Sequence, residues 1–211
     1  MENSPANFLP KVSQFVSDLK KSDERLETDR KNRLTEISDF IRRKKAQGEQ
    51  AALIFICTHN SRRSHFGQIW AQVLADYYGV SGVKTYSGGT EATAFNPNAI
   101  TALRKTGFEI SAISDSPNPQ YEVAYGENIP PLTVWSKVYS DPANPQSRFC
   151  AIMTCSEADE ACPAVFGAEI RISLPFDDPK KSDGTPAQAE TYAQRSRQIA
   201  AELDFVFQQL M

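Results

Sequence analysis

Apolar positions fall into two regimes along the chain. Through residue 50 they recur at helical spacing: Leu9, Val12, Phe15, Val16 and Leu19 form one stripe, and Leu26, Leu34, Ile37, Phe40 and Ile41 a second, with charged residues crowded between them. This predicts a helical extension over residues 1–50, a hairpin packed on the rest of the chain or on a second copy. From Ala51 onward, short apolar runs alternate with helical patterns. Leu53–Ile56 reads as a strand buried on both faces. Phe66, Ile69, Trp70, Val73, Leu74 and Tyr77 then follow a helical period, and Gly79 supplies a stop. Val83–Ser87 reads as a second strand leading to Gly88-Gly89. A helix starts at Pro97, after Asn96 as its cap, and ends at Gly107. Ala151–Met153 and Ile170–Leu174 read as further strands, and Tyr192–Leu210 as a closing amphipathic helix. The segment Pro117–Ser147, rich in proline, asparagine and tyrosine, lacks clear periodicity, and its length predicts a lid or binding loop. This order predicts an α/β fold over 51–211: a parallel sheet with helices on both faces and a site at the carboxyl ends of the strands.

Composition narrows the class. At 211 residues, 40% hydrophobic and net charge −3, the chain can bury one core with an appended element. No apolar run approaches the roughly 20 residues that span a bilayer. Met1-Glu2-Asn3-Ser4-Pro5 has neither a basic start nor an apolar core, so no signal peptide is expected and the location is read as cytoplasmic. Mild acidity without a dense basic stripe argues against nucleic acid as a partner. Four cysteines are too sparse for a disulfide scaffold, and free or catalytic thiols are expected. Arg42-Arg43-Lys44-Lys45 reads as a solvated helix end favoured by the helix dipole.

The chemistry concentrates after the first strand, in Cys57-Thr58-His59-Asn60-Ser61-Arg62-Arg63-Ser64. A strand delivers a thiol into a tight loop whose far end opens a helix. Such a loop aims successive backbone N–H groups inward and binds a tetrahedral oxyanion. The helix end also activates a thiol placed there, making Cys57 a candidate nucleophile. Arg63 offers a planar donor fork for two oxygens of the anion. The residues Thr58, His59, Asn60, Ser61, Arg62 and Arg63 are the candidate oxyanion binders.

Two other constellations stand out. Phe176-Asp177-Asp178-Pro179 follows the fourth strand. Thiolate attack on a phosphate ester needs an acid to protonate the leaving oxygen, and a carboxyl here could serve; an ordinary Asp-Pro turn is the other reading. Cys155 and Cys162 bracket Ser156-Glu157-Ala158-Asp159-Glu160-Ala161, with Pro163 next. Two thiols seven apart on a short helix become a disulfide only if the helix deforms. Zinc binding lacks a paired short Cys/His spacing, and two inert cysteines are the remaining alternative.

Together the loop, Tyr86-Ser87-Gly88-Gly89, the Cys155/Cys162 pair and Phe176-Asp177-Asp178-Pro179 resemble thioredoxin-coupled arsenate reductases, which are built on the low-molecular-weight protein tyrosine phosphatase fold. The resemblance runs from about Ala51 to Leu210, outside the irregular insertion at about 117–147. It implies a four-stranded parallel sheet of flavodoxin-like winding. It also implies Cys57 as nucleophile, Arg63 as anion clamp, Ser64 as a hydroxyl stabilising the thiolate, Asn60 as the residue holding the loop, and Asp178 as general acid. In such reductases arsenate first bonds to the loop cysteine. A second thiol, here Cys155, then attacks Cys57 and expels arsenite, and a third, here Cys162, attacks Cys155 and carries the disulfide to a thioredoxin. Cys150 matches none of these roles and reads as structural.

The chain departs from the pattern in places. Arg62 stands where many of the phosphatases carry a second cysteine, and His59 where they carry glycine. Some reductases of the family bind potassium near the loop. The matching positions are Asn60, Ser87 and Asp115, with Gln68 where a carboxylate is expected. No tightly bound cofactor is otherwise expected. Phosphotyrosine-specific members place an aromatic residue after the Asp-Pro, where this chain has Lys180 and Lys181. Two enzyme readings follow: an arsenate reductase resting on Cys155 and Cys162, and a phosphatase acting on phosphomonoesters that needs only Cys57, Arg63 and Asp178. A non-catalytic redox sensor or scaffold is a third. The expected partners are an oxyanion or phosphoester and a thioredoxin, with neither nucleic acid nor membrane, and with oligomerisation through the N-terminal helices as an option.

Overall fold

The computed structural model describes residues 7–19, 26–162 and 164–211. The reading of residues 1–5 and Pro163 lie outside them. In chain order the elements are α1 (Pro10–Leu19), α2 (Thr28–Ala46), β1 (Ala51–Cys57), α3 (Arg63–Tyr77), β2 (Val83–Gly89), α4 (Pro97–Thr106), β3 (Glu109–Ala112), β4 (Tyr121–Ala124), β5 (Leu132–Val134), β6 (Phe149–Met153), α5 (Ser156–Ala161), β7 (Ala168–Ser173) and α6 (Gln188–Gln208), with a 3₁₀ turn at Pro179–Ser182.

β2, β1, β6 and β7 form, in that order, a four-stranded sheet in which every pairing is parallel. This is the expected winding, and β1 lies inside it. Alternation along β1 divides the core: Leu53 and Phe55 join the large cluster with Trp70, Leu203 and Phe207, whereas Ile54 and Ile56 join Met153, Cys155 and Ala158 on the opposite face. The helices α3 and α6 cover the first face and α5 the second. α4 obeys its sequence signals. The Asn96 side chain accepts from Asn98 N at 2.9 Å and Ala99 N at 3.3 Å, and Gly107 closes the helix at φ 113°.

The extension packs on this core. Val12, Val16 and Leu19 of α1 and Leu34, Ile37, Phe40 and Ile41 of α2 are buried in the large cluster. α1 lies against α4 and α6, and α2 against α6 and β7. The apolar stripes are therefore covered within one chain.

Two expectations need correction. Lys44 is not part of a solvated helix end: it is 1% exposed and pairs with Glu49 at 3.0 Å and with Glu169. Arg43 and Arg148 complete the cluster, and these cations hold both carboxylates below their usual range. The long aliphatic stem of Lys44 makes this packing feasible, with the ammonium meeting charge at its end. The segment 117–147 is not irregular throughout. β3, β4 and β5 form an antiparallel sheet, with Ile110, Val123 and Val134 turned into the core and Glu122 and Thr133 outward. The alternation is present in the sequence, but three- and four-residue strands are too short for it to stand out.

Candidate active site

Residues 57–63 form a loop between the end of β1 and the start of α3. Its carbonyls bond outward. Thr58 O accepts from Glu91 N at 2.8 Å and Thr90 Oγ1 at 3.1 Å. His59 O accepts from Ser136 Oγ at 3.0 Å and Thr93 Oγ1 at 3.1 Å, and Ser61 O from Asn96 N at 3.0 Å. In a planar trans peptide the N–H points opposite to the C=O, so these bonds turn the N–H groups of residues 59, 60 and 62 toward the loop centre. Asn60 sits at φ 44°, a left-handed conformation that asparagine tolerates better than most side chains.

The Asn60 side chain fastens the loop on two sides. Its Oδ1 accepts from the Lys137 peptide N at 2.8 Å, and its Nδ2 donates to Ser64 Oγ at 2.9 Å. Ser64 Oγ lies 3.1 Å from Cys57 Sγ. β2 supports the loop from its other edge. Cys57 is paired in register with Gly89, where an added Cβ would come within 2.6 Å of Thr58 O and 2.8 Å of Asn60 N. Only glycine permits that approach, which gives the Gly88-Gly89 motif a steric meaning.

Arg63 is 5% exposed. Its Nη1 donates to Phe176 O at 2.9 Å and its Nη2 to Asp178 Oδ2 at 2.7 Å. The guanidinium carries five N–H groups, which leaves three beyond these two bonds for an anion. Asp178 also accepts from Lys180 N at 3.0 Å, whereas Asp177 is exposed and turned toward Arg195 at 3.4 Å. Of the two neighbouring aspartates, Asp178 is thus the one at the loop. The Arg62 side chain faces elsewhere, with Nε on Tyr192 Oη at 2.7 Å and Nη2 3.4 Å from Asp183. Only its backbone belongs to the loop. The His59 ring is also outside, 44% exposed and 3.8 Å from Glu91.

All four cysteines are free thiols. Cys155 is fully buried in the same small cluster as Cys57, and its Sγ lies 3.5 Å from Thr58 Oγ1. It caps α5, accepting from Ala158 N at 3.4 Å. Burial raises the Cys155 thiol above its usual range, with the Thr58 hydroxyl opposing that effect. Cys162, at the far end of α5, is partly exposed. Seven residues of helix rise span about 10 Å, more than the roughly 7 Å limit for bridged Cα atoms, so a Cys155–Cys162 disulfide requires α5 to unwind. Arg171 on β7 fastens that end, donating to Asp159 O at 2.6 Å and Cys162 O at 3.0 Å. Cys150 is buried in the large cluster, and burial pushes its thiol far up.

The positions anticipated for potassium differ in what their oxygens already hold. Asn60 Oδ1 already accepts a peptide N–H, and Asp115 is exposed. Gln68 Oε1 and Ser87 Oγ are buried without a partner among the described residues.

The sequence reading missed Ser136 and Lys137, which join the loop from the 117–147 segment. Beyond its bond to His59, Ser136 Oγ accepts from Thr93 N at 2.8 Å. Lys137 is 4% exposed with Nζ 4.1 Å above the Trp135 ring, and burial lowers its ammonium to about 8. His65 was missed as well. It is fully buried on α3, with Nε2 3.2 Å from Trp135 O, and burial pushes it down to about 3. For Ser136 and Lys137 the only sequence signal is the length of the segment that supplies them.

Among the described residues no helix is long and apolar enough to cross a membrane. No protein-family model matches the chain. An arsenate reductase of Bacillus licheniformis is 30% identical over 152 residues, covering 71% of this chain and 89% of that protein. A low-molecular-weight phosphotyrosine phosphatase of Vibrio cholerae O395 superposes with a TM-score of 0.51 at 12% identity, covering 76% of this chain and 96% of that one. An arsenate reductase solved in a phosphate-binding state gives 0.50 at 15% identity, covering 77% and 100% respectively. At those identities the structures speak for the fold alone, whereas the Bacillus relative carries the family. The chain belongs to the arsenate reductase family built on the low-molecular-weight protein tyrosine phosphatase fold.

Proposed function

We propose that this protein reduces arsenate to arsenite by a relay of thiols and is recycled by a thioredoxin-type dithiol. The observation that carries the reading is the burial of Cys155 against the oxyanion loop, with its sulfur on Thr58, the residue after Cys57. Hydrolysis of a phosphoester needs only Cys57, Arg63 and Asp178 and does not require a second thiol. The likeness to an arsenate reductase supports the same reading.

Arsenate enters the loop on the inward N–H groups and the free donors of Arg63. Cys57 Sγ displaces one arsenate oxygen, which leaves as water, forming an S–As(V) bond. Ser64 donates its O–H to the sulfur while it is anionic. The Cys155 thiolate then attacks Cys57 Sγ. An S–S bond forms, the S–As bond breaks, and its electron pair stays on arsenic, which departs as arsenite. Cys162 attacks Cys155 Sγ next and releases Cys57 as a thiolate, leaving a Cys155–Cys162 disulfide. An external dithiol takes up that disulfide and restores both thiols. For a phosphoester the same loop would form a cysteinyl-phosphate, with Asp178 protonating the leaving oxygen.

The test is arsenate-dependent oxidation of a thioredoxin and thioredoxin reductase system, run beside hydrolysis of an aryl phosphate. The reading expects multiple turnover with arsenate. If arsenate leaves all four thiols free while aryl phosphate is hydrolysed briskly, the phosphatase reading takes its place.

A further inference from the structure

β7 is an edge strand, so the outward carbonyls at its end have no neighbouring strand to bond. α2 supplies the missing donors. Arg30, in its first turn, donates from Nη1 to Pro175 O at 2.9 Å, and Arg33, one turn later, donates from Nη1 to Ser173 O at 2.9 Å. The Arg30 guanidinium also lies over the Phe176 ring, 4.5 Å from its centroid. Its Nε is held at 2.7 Å by Glu202 of α6, a carboxylate only 3% exposed. Arg30 is thus held between Glu202 and the Pro175–Phe176 peptide.

The far side of Phe176 belongs to the oxyanion loop, because its carbonyl accepts from Arg63 Nη1. Two arginines thus grip one residue, Arg30 at the ring and Arg63 at the carbonyl. Asp178 follows two positions later and is held by the other arm of the Arg63 fork at 2.7 Å. Any drift of Ser173–Phe176 would move the Asp178 carboxyl two positions on, whereas Arg63 is rooted at the start of α3.

We infer that Arg30 and Arg33 are positioning residues for the reaction, which makes α2 part of the active-site apparatus although it precedes the stretch that resembles the family. They hold the carbonyls after β7 so that Asp178 is presented at the anion loop. The inference rests on the reading of Asp178 as the general acid. A mere structural brace would lower activity on every substrate alike. A brace acting through an acid slows the reaction selectively where the leaving group needs a proton.

The experiment compares kcat/KM of the full chain on phenyl phosphate, a poor leaving group, and 4-nitrophenyl phosphate, an activated one. Arg30→Met and Arg33→Met should each slow phenyl phosphate by about ten- to a hundredfold, the scale on which misplacing a catalytic group tells. The activated ester should change by about twofold or less. In an Asp178→Asn background neither change should slow phenyl phosphate further, since all three act on one proton transfer. Arg33 is exposed, so Arg33→Met keeps the test in force if Arg30→Met fails to fold. Equal losses on both esters, or losses that persist without Asp178, would overturn the inference and leave the acid assignment standing. If Asp178→Asn itself shows no dependence on the leaving group, or if the unaltered chain hydrolyses neither ester, the acid reading falls and the inference with it.

Discussion

Asn60 donates its side-chain N–H to Ser64 Oγ at 2.9 Å, and this fixes the direction of the Ser64 hydroxyl. Because the oxygen accepts from Asn60, its own proton is free to point at Cys57 Sγ, 3.1 Å away. A hydrogen bond to a charged group contributes about 1.5–3 kcal/mol. Ser64→Ala should therefore lower kcat/KM on an aryl phosphate by about ten- to a hundredfold. Asn60→Ala should lose at least as much, because it also gives up the Lys137 anchor and places alanine at φ 44°. The double variant should be little worse than Asn60→Ala, because the Ser64 hydroxyl acts through the same chain. Additive losses would separate the roles.

Cys57 should react first with iodoacetamide, and phosphate or arsenate should protect it by filling the loop. Cys150, enclosed by the large core cluster, should react only on unfolding. Peptide mass mapping over a time course reads the order. Faster alkylation of Cys150, with no protection by oxyanions, would remove the anion-loop assignment.

Cys155→Ser and Cys162→Ser should each abolish multiple-turnover arsenate reduction and leave aryl-phosphate hydrolysis nearly intact. Hydrolysis regenerates the Cys57 thiolate with water, whereas arsenate reduction leaves two oxidising equivalents on protein sulfur. After one equivalent of arsenate, mass spectrometry should find a Cys155–Cys162 disulfide in the unaltered chain and a trapped Cys57–Cys155 bond in Cys162→Ser. Full turnover in Cys162→Ser would remove that cysteine from the relay.

Arg171 should restrain the relay. It ties down Asp159 O and Cys162 O, the carbonyls that must let go before α5 unwinds. With net hydrogen-bond contributions of about 1 kcal/mol each, Arg171→Met should speed Cys155–Cys162 disulfide formation about five- to thirtyfold. A Cys57→Ser background oxidised with diamide isolates this step from arsenate chemistry. An unchanged or slower rate would count against a helix-unwinding step.

His65 should make the fold acid-sensitive above the carboxylate range. Burial lowers it from its ordinary 6.5 to about 3, so below pH 6.5 the unfolded chain takes up a proton that the folded chain refuses. Stability should fall as pH drops from about 6.5, by at most about 1.4 kcal/mol per pH unit from this residue. Denaturant midpoints measured from pH 7.5 to 4.5 should show the slope, and His65→Gln should flatten it. An equally steep curve in the variant would reassign the effect.

The lysine-rich end of α2 illustrates how tertiary context overrides a local pattern. Four consecutive cations read as a solvated terminus, because charge in water needs no partner. Folding brings Glu49 and Glu169 to this end, and Lys44 becomes a buried ammonium between carboxylates. Register separates it from exposed Lys45: Lys44 follows Phe40 by four and Ile41 by three, on the buried face of α2.

Whatever depends on neighbours along the chain is legible in the residues alone. The buried parallel strands, the Asn96 cap, the Gly107 stop and the loop from Cys57 to Ser64 are local objects, set by apolar period, turn chemistry and the junction of strand and helix. What sits around that loop depends on long-range packing. Asp178 rather than Asp177 meets Arg63 because of how the chain turns after β7, and Cys155 meets Thr58 because β6 is hydrogen-bonded beside β1. Ser136, Lys137 and Arg30 arrive from segments whose composition carries no catalytic signature, since a peptide N–H or a guanidinium over a ring acquires its role only from where the fold carries it.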